Sequence, residues 1–295
     1  MQEIFECDNG LISKQSWVSR IDQLRKETIP ATELELKESI ARALEDRIPD
    51  ASCGLLLSGG VDSSLIALLL KTHHADVRCY TVGVDGSQDI VMAREVASLL
   101  GLQHKERILS PSELHVLLKK TKTLFQEDIF PNNPNPAVLL GVAAVELAAL
   151  ELAKDDHINL FFGGLGAEEI FAGYNRHLKS DNINDECWRG LRDVVYDRDL
   201  RRDAKVAVHY GIRFATPFLD ADLIRCAMGI PAGLKIDDEH KKVILRRIAH
   251  DLGLPHHVAY RKKKAAQYGS AFMKSIERLA KDNGFRYTRD FFDAL

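Results

Sequence analysis

Seven residues, Ser58-Gly59-Gly60-Val61-Asp62-Ser63-Ser64, constrain this chain more than any others. They follow Cys53 to Leu57 (CGLLL), an unbroken apolar run between Pro49 and a glycine pair, which marks a strand buried on both faces. They precede LIALLLKTHH, which reads as a helix. Strand, glycine turn and helix in this order make the first half of a βαβ unit. Beyond the carboxyl end of a parallel strand such a turn offers backbone N–H groups and a helix N-terminus. The hydroxyls of Ser58, Ser63 and Ser64 add donors, and the sum is an anion cradle whose natural occupant is phosphate or pyrophosphate. Asp62 would repel a bare phosphate, so it reads as a ligand for Mg²⁺ carried by a nucleotide. The loop is not a Walker A motif, since no lysine follows its glycines, nor the dinucleotide G-x-G-x-x-G.

The alternation continues along the chain. Val77 to Val84 reads as a strand, Asp89 to Gly101 as a helix, Lys105 to Leu109 as a short strand and Pro136 to Lys154 as a long helix. Ile158 to Phe162 is another buried strand, and it too runs into glycines. This order predicts an α/β fold with a doubly wound parallel sheet in residues 31–180, and a mainly helical part, 181–295, packed beside it. Residues 1–30 read as a polar lead-in with one short helix around Trp17 to Lys26, and Thr32 as the N-cap of the next helix. Residues 31–295 together are expected to make one unit. With 45% hydrophobic and 28% charged residues in 295, a sizeable core is expected. Forty Lys and Arg against 43 Asp and Glu leave a net charge of −3, so no global field draws the chain to nucleic acid or an anionic membrane. The longest apolar stretch, Pro136 to Ala153, is interrupted by Glu146 and Glu151 and is too weak for a membrane span. Cys7, Cys53, Cys79, Cys187 and Cys226 are scattered, odd in number and without a C-x-x-C pair. That pattern excludes a zinc knuckle or disulfide framework and suits a reducing compartment. The opening MQEIFECDNG lacks the marks of a signal peptide, so a cytoplasmic location is expected.

SGGVDSS directly after a buried strand resembles the PP-loop of ATP pyrophosphatases, which cleave ATP between its α and β phosphates. Gly163 to Tyr174 (GGLGAEEIFAGY) resembles the second signature of asparagine synthetases, close to S-G-E-G-S-D-E followed by a hydrophobic pair and G-G-Y. Pro217-Phe218-Leu219-Asp220 resembles the P-F-L-D of the same family, and Thr81 to Asp89 (TVGVDGSQD) its adenine-side strand and loop. Lys241 to Ser270, with KKVILRRIAHDLGLP and RKKKAAQYGS, resembles its closing segment. These segments are collinear across residues 31–270. The chain is therefore similar to the synthetase domain of asparagine synthetases, in the PP-loop (adenine nucleotide alpha hydrolase-like) superfamily. Gly164 to Glu169 and Gly173 to His177, read as G-x-G-A-D/E-E and G-Y-x-R-H, resemble the asparagine synthetase domain-containing proteins without an active glutaminase. Arg198-Asp199-Leu200 and the GS at Ser270 add to that likeness.

The resemblance implies an AMP- and pyrophosphate-forming ligase that uses ATP and Mg²⁺. It would adenylate a carboxylate, aspartate or a relative, for attack by ammonia or another amine. Ser58, Gly59, Gly60, Val61, Asp62, Ser63 and Ser64 would hold pyrophosphate, and Leu57, Val82 and Gly83 would meet adenine, partly through backbone atoms. Gly163 and Gly164 would lie near the nucleotide, with Gly164, Leu165 and Asp220 lining the acyl pocket. Asp62 and Glu168 would hold Mg²⁺, Glu168 standing where the family has aspartate. Lys263 would stabilise charge on the α-phosphate as pyrophosphate leaves, where a mobile cation contributes mainly in the transition state. The tetrad Arg261-Lys262-Lys263-Lys264 also reads as a plain solvated run.

Two departures stand out. Leu165 replaces the glutamate that acts on the incoming amine, and leucine cannot accept a proton. Attack without a base, Glu168 or Glu169 in its place, and a reaction other than asparagine formation all remain open. Position 2 is Gln2 where glutamine-dependent members carry a nucleophilic cysteine, and about thirty residues precede the synthetase segment where a glutaminase needs roughly 200. Free ammonia, another nucleophile or a separate glutaminase partner is therefore expected to supply nitrogen. Arg246-Arg247 with residues 261–264 read as a basic rim for a nucleic-acid substrate, which keeps a second reading open, an enzyme activating an RNA base or a small metabolite. A third is a nucleotide-binding subunit without catalysis. His73-His74 and His256-His257 read as helix-end and turn residues rather than metal ligands.

Overall fold

Side chains of the central strands alternate between two apolar layers, and that alternation accounts for the architecture. A computed structural model describes residues 5–6, 10–126, 136–262 and 265–295. Strands β1 (Cys53–Leu56), β2 (Val77–Val84), β3 (Gln103–Leu109), β4 (Leu160–Phe162) and β5 (Arg213–Ala215) form one sheet in the order β3-β2-β1-β4-β5. Every neighbouring pair is parallel. Cys53, Leu55, Val77, Cys79, Leu160 and Phe162 enter one core layer, while Tyr80, Val82, Val84, Phe161 and Phe214 enter the other. Burial on both faces is why β1 and β4 read as continuous apolar runs.

The first layer is closed by helices α1 (Lys14–Glu27), α2 (Glu33–Glu45), α3 (Val61–Thr72) and α4 (Gln88–Leu100), the second by α5 (Pro111–Phe125) and α6 (Pro136–Ala153). Caps set several of their starts. Thr32 forms a capping box with Glu35, and Ser110 does the same with Glu113 under a first-turn proline. After β4 come α7 (Ala167–Ile170), α8 (Ile183–Arg189) and two π-helical turns, Gly190–Val194 and Tyr196–Leu200, that lead into α9 (Arg201–Tyr210). The chain then adds β5, α10 (Ala221–Gly229), α11 (Val243–Asp251), α12 (His256–Ala259), α13 (Ala266–Gly269), α14 (Phe272–Asp282) and α15 (Thr288–Ala294). The α/β, doubly wound parallel architecture is thus the one expected from the sequence.

Three local features differ from that expectation. Strand β5 lies within the stretch read as helical; at three residues it is too short to show a period, and its pairing with β4 places it. Helix α1 buries Trp17, Ile21 and Leu24 in the first layer, and the Trp17 indole donates to the Leu191 carbonyl at 2.8 Å. The polar lead-in therefore packs on the same core as the sheet. His256 and His257 open the short helix α12 instead of a turn. Among the described residues no helix is long and apolar enough to cross a membrane.

Candidate nucleotide site

The turn after β1 is shaped by backbone chemistry. Gly59 has φ +64°, and a Cβ there would lie 2.5 Å from the Cβ of Met92 on α4, so close packing and handedness both require glycine. Gly60 caps α3 with no side-chain bond, which leaves the first-turn N–H groups of the helix to a ligand. Ser63 Oγ turns back on the loop, accepting from the Ser58 backbone N–H at 3.2 Å and lying 3.0 Å from Ser58 Oγ. Ser64 is fully buried and its Oγ has no hydrogen-bond partner among the described residues. Of the three hydroxyls read as donors, only that of Ser58 is part-exposed at the mouth of the cradle; Ser63 and Ser64 lie beneath it. Leu57 and Val82 are buried, and a Cβ on Gly83 would lie 2.5 Å from Ser87 Oγ.

The second glycine turn, after β4, faces the first. A Cβ on Gly164 would lie 3.0 Å from the Cβ of Asp62, so these two signatures, a hundred residues apart, touch. Glu168, on α7, is brought in beside them, and the group that joins the carboxylates is Lys242. Its ammonium donates to Asp62 Oδ2 at 2.8 Å, Asp62 Oδ1 at 2.9 Å and Glu168 Oε1 at 2.6 Å. Lys242 caps α11 with φ +59°, an uncommon conformation for a residue with a Cβ, and only 5% of its side chain is exposed. Burial lowers its pKa, but the charges of Asp62 and Glu168 outweigh that and hold it above the ordinary lysine value. Gly173 must be glycine for the same packing, since a Cβ would fall 1.8 Å from Glu168 Oε2 and 2.4 Å from Lys242 Cε. Lys242 lies in the segment noted as family-like, yet nothing in its spacing marks it as a partner of residues 180 and 74 positions away.

Glu168 and Glu169 have opposite environments. The Glu168 side chain is 39% exposed, whereas that of Glu169 is 1% exposed and accepts from Arg198 at 2.8 Å. Burial, then the charge of Asp199, pushes the Glu169 carboxyl up to about 7. Only Glu168 is therefore reachable as a stand-in for the glutamate replaced by Leu165, which is itself half-buried against the first core layer.

Other sequence candidates are redistributed. Asp220 is not presented to a pocket: its Oδ1 caps α10 through the N–H groups of Asp222 and Leu223, and its Oδ2 pairs with Arg47 at 3.0 Å. The preceding Leu219 packs under Gly166, so Pro217 to Asp220 supports the second turn from behind. The basic rim divides: Arg246 and Arg261 are turned inward, whereas Arg247 stays part-exposed and Lys262 exposed. Arg246 donates to the carbonyls of Lys241, Ala259 and Arg261; Arg247 pairs with Glu33; Arg261 donates to the Ser58 carbonyl and to Asp89. Lys263 and Cys7 lie outside the described residues.

A hard divalent cation fits this donor set. Mg²⁺ is commonly held by one or two carboxylates together with substrate phosphates, which is what Asp62 and Glu168 beside an anion cradle provide. Among the described residues no group of three or more His, Cys, Asp or Glu is arranged to hold a metal ion, so such an ion would depend on the nucleotide for its remaining ligands. It would also share its two carboxylates with Lys242.

Comparison with known proteins places the chain in a family. The asparagine synthase family profile matches residues 35–192 and 179–285. A Methanocaldococcus jannaschii protein whose name proposes a glutamine-hydrolyzing asparagine synthetase is 31% identical over 88% of this chain and 55% of its own length. Asparagine synthetase (glutamine-hydrolyzing) 2 of Oryza sativa subsp. japonica is 28% identical over 83% of this chain and 44% of its own. The Bos taurus asparagine synthetase (glutamine-hydrolyzing) is 27% identical, covering 90% and 48%. The chain spans about half the length of the curated relatives it matches.

Proposed function

Since the chain belongs to the asparagine synthase family, we propose that it is an ATP-dependent ligase that forms an acyl-adenylate, releasing pyrophosphate, and passes the acyl group to ammonia or another amine, releasing AMP. The observation that carries this reading is the junction of the two glycine turns, where Asp62 lies against Gly164 and shares the Lys242 ammonium with Glu168. A carboxylate must approach the α-phosphorus of a polyanion, so the site has to supply positive charge and N–H donors where negative charge grows. The N-terminus of α3 supplies the donors and Lys242 the charge. Bound Mg²⁺, held by Asp62 and Glu168, would neutralise the departing pyrophosphate. Because Lys242 is buried and already oriented, little reorganisation is needed as that charge develops. Glu168, part-exposed beside the junction, is positioned to take a proton from the attacking amine, the task that Leu165 cannot perform.

The test is pyrophosphate release from ATP across a panel of carboxylic acids, aspartate first. Acid-dependent release of AMP and pyrophosphate is expected, and Asp62→Asn should lower it by about a hundredfold. Release of ADP and phosphate instead, or no AMP with any acid despite ATP binding, would overturn the reading.

A further inference from the structure

We propose that Arg261 and Asp89 are positioning residues that lock the phosphate side of the nucleotide cleft to its base side, so that the two half-sites bind ATP as one. This rests on the ATP reading above. The Arg261 guanidinium spans two loops: Nη1 donates to the Ser58 carbonyl at 2.9 Å, where β1 passes into the glycine turn, and Nη2 donates to Asp89 Oδ1 at 3.0 Å, in the first turn of α4. Both side chains are nearly buried, at 13% and 5% exposure, so the pair is poorly screened by solvent.

Asp89 also meets the other end of the same C-terminal segment. A Cβ on Gly269 would lie 2.2 Å from Asp89 Oδ2, Ser87 Oγ donates to the Gly269 carbonyl at 3.2 Å, and the Val84 N–H donates to the Ser270 carbonyl at 3.0 Å. Residues 84–89 are thus held at one point by Arg261 and at another by Gly269 and Ser270. Arg246 extends the connection, donating to the carbonyls of Arg261 at 3.0 Å and Lys241 at 2.7 Å, the latter beside the lysine that bridges Asp62 and Glu168. Two guanidiniums therefore join the glycine turn, the loop after β2 and the loop bearing Lys242. The glycine turn and the loop after β2 already follow paired strands, with the Leu57 N–H donating to the Tyr80 carbonyl at 3.0 Å, so the guanidiniums act beyond the end of that ladder, where the loop bearing Lys242 joins them.

The planar guanidinium offers Nη1 to one acceptor and Nη2 to the other in a fixed fork, whereas a lysine here would have a single nitrogen to divide between the Ser58 carbonyl and Asp89. A residue that only stabilised the fold would, on removal, weaken every ligand alike. A residue that sets the distance between half-sites should weaken only the ligand that spans both.

The experiment is calorimetric titration of the full chain with MgATP, magnesium pyrophosphate and adenosine, comparing wild type with Arg261→Ala, Arg261→Lys and Asp89→Asn at matched folded fraction. Arg261→Lys should weaken MgATP by about tenfold, the loss of one charge-assisted hydrogen bond, and Arg261→Ala, which removes both, by at least as much. Pyrophosphate and adenosine taken singly should change by less than about threefold on the same scale. The double variant Arg261→Ala/Asp89→Asn should be no worse than Arg261→Ala alone, as expected for partners in one contact. Equal weakening of pyrophosphate and ATP, or unchanged ATP binding in a folded Arg261 variant, overturns the proposal. Should Arg261→Ala not fold, Asp89→Asn decides by the same criterion. Absence of MgATP binding by the wild type overturns the ATP reading itself, and the clamp with it.

Discussion

Two clusters of charge stand close together in this protein and behave differently. At the junction of the glycine turns, Asp62 and Glu168 share one ammonium, and Glu168 stays part-exposed. Behind it, Glu146, Asp199 and Asp203 surround Arg202, while Glu169 and Asp199 share Arg198. Arg202 donates to Glu146 at 3.1 Å and to Asp199 at 3.0 Å, and it is almost wholly buried. Four carboxylates outnumber the guanidiniums of Arg176, Arg198 and Arg202 beside them, and burial pushes the Glu146 carboxyl up, that of Asp203 to about 6 and that of Glu169 to about 7. The residue types are alike in both places. What differs is access to solvent, which leaves the first cluster able to exchange a protein partner for a ligand and makes the second part of the scaffold.

The sharpest way to break that comparison is at Lys242. Lys242→Ala should lower acid-dependent pyrophosphate release by about a thousandfold while the chain remains folded, because charge is lost where it develops in the reaction. An activity within tenfold of wild type would show that the junction is as structural as the buried cluster. The converse substitution, Arg202→Met, should cost about 3–5 kcal/mol in urea unfolding by stranding buried carboxylates, with little change in the ATP dependence of whatever folds.

A smaller effect concerns pH. The folded-state pKa of Glu169 is raised above the ordinary value of 4.5 to about 7, first by burial and then by Asp199. Its contribution to stability is therefore complete below the unfolded value and is lost as pH rises through about 7. Thermal melts from pH 5 to pH 8 should show a smaller fall for Glu169→Gln than for wild type, since the amide stays neutral throughout. Equal slopes would remove Glu169 from the account. The smallest effect on activity belongs to Asp220→Ala, which should destabilise by about 2–4 kcal/mol through loss of the α10 cap and of the ion pair with Arg47, with pyrophosphate release per folded molecule unchanged.

Local features of the fold were legible because their signals are contiguous. CGLLL before SGGVDSS announced a buried strand entering a glycine turn, and Thr32 announced a helix start. Strand β5 was not legible, because three residues cannot display a period and its place depends on pairing with β4. At the junction, Asp62 and Glu168 were named through their motifs, and the fold brings them to one ammonium. Their partner was missed, as were Arg246 and Arg261, whose clustering in sequence suggested a solvated rim. Asp220 erred in the other direction: a motif aspartate whose carboxylate is used up as a helix cap and ion pair.

From the sequence alone came the parallel α/β architecture, the glycine turn at residues 58–64 after a buried strand, and the naming of Asp62 and Glu168, since each follows from neighbouring residue types and the period of the elements that carry them. Only the tertiary structure decided which cation faces those carboxylates, which of Glu168 and Glu169 meets solvent, and which arginines are internal. Those outcomes depend on burial and on distances between segments as far apart as Asp62 and Lys242, 180 residues along the chain. Packing sets such distances, and no local pattern encodes them.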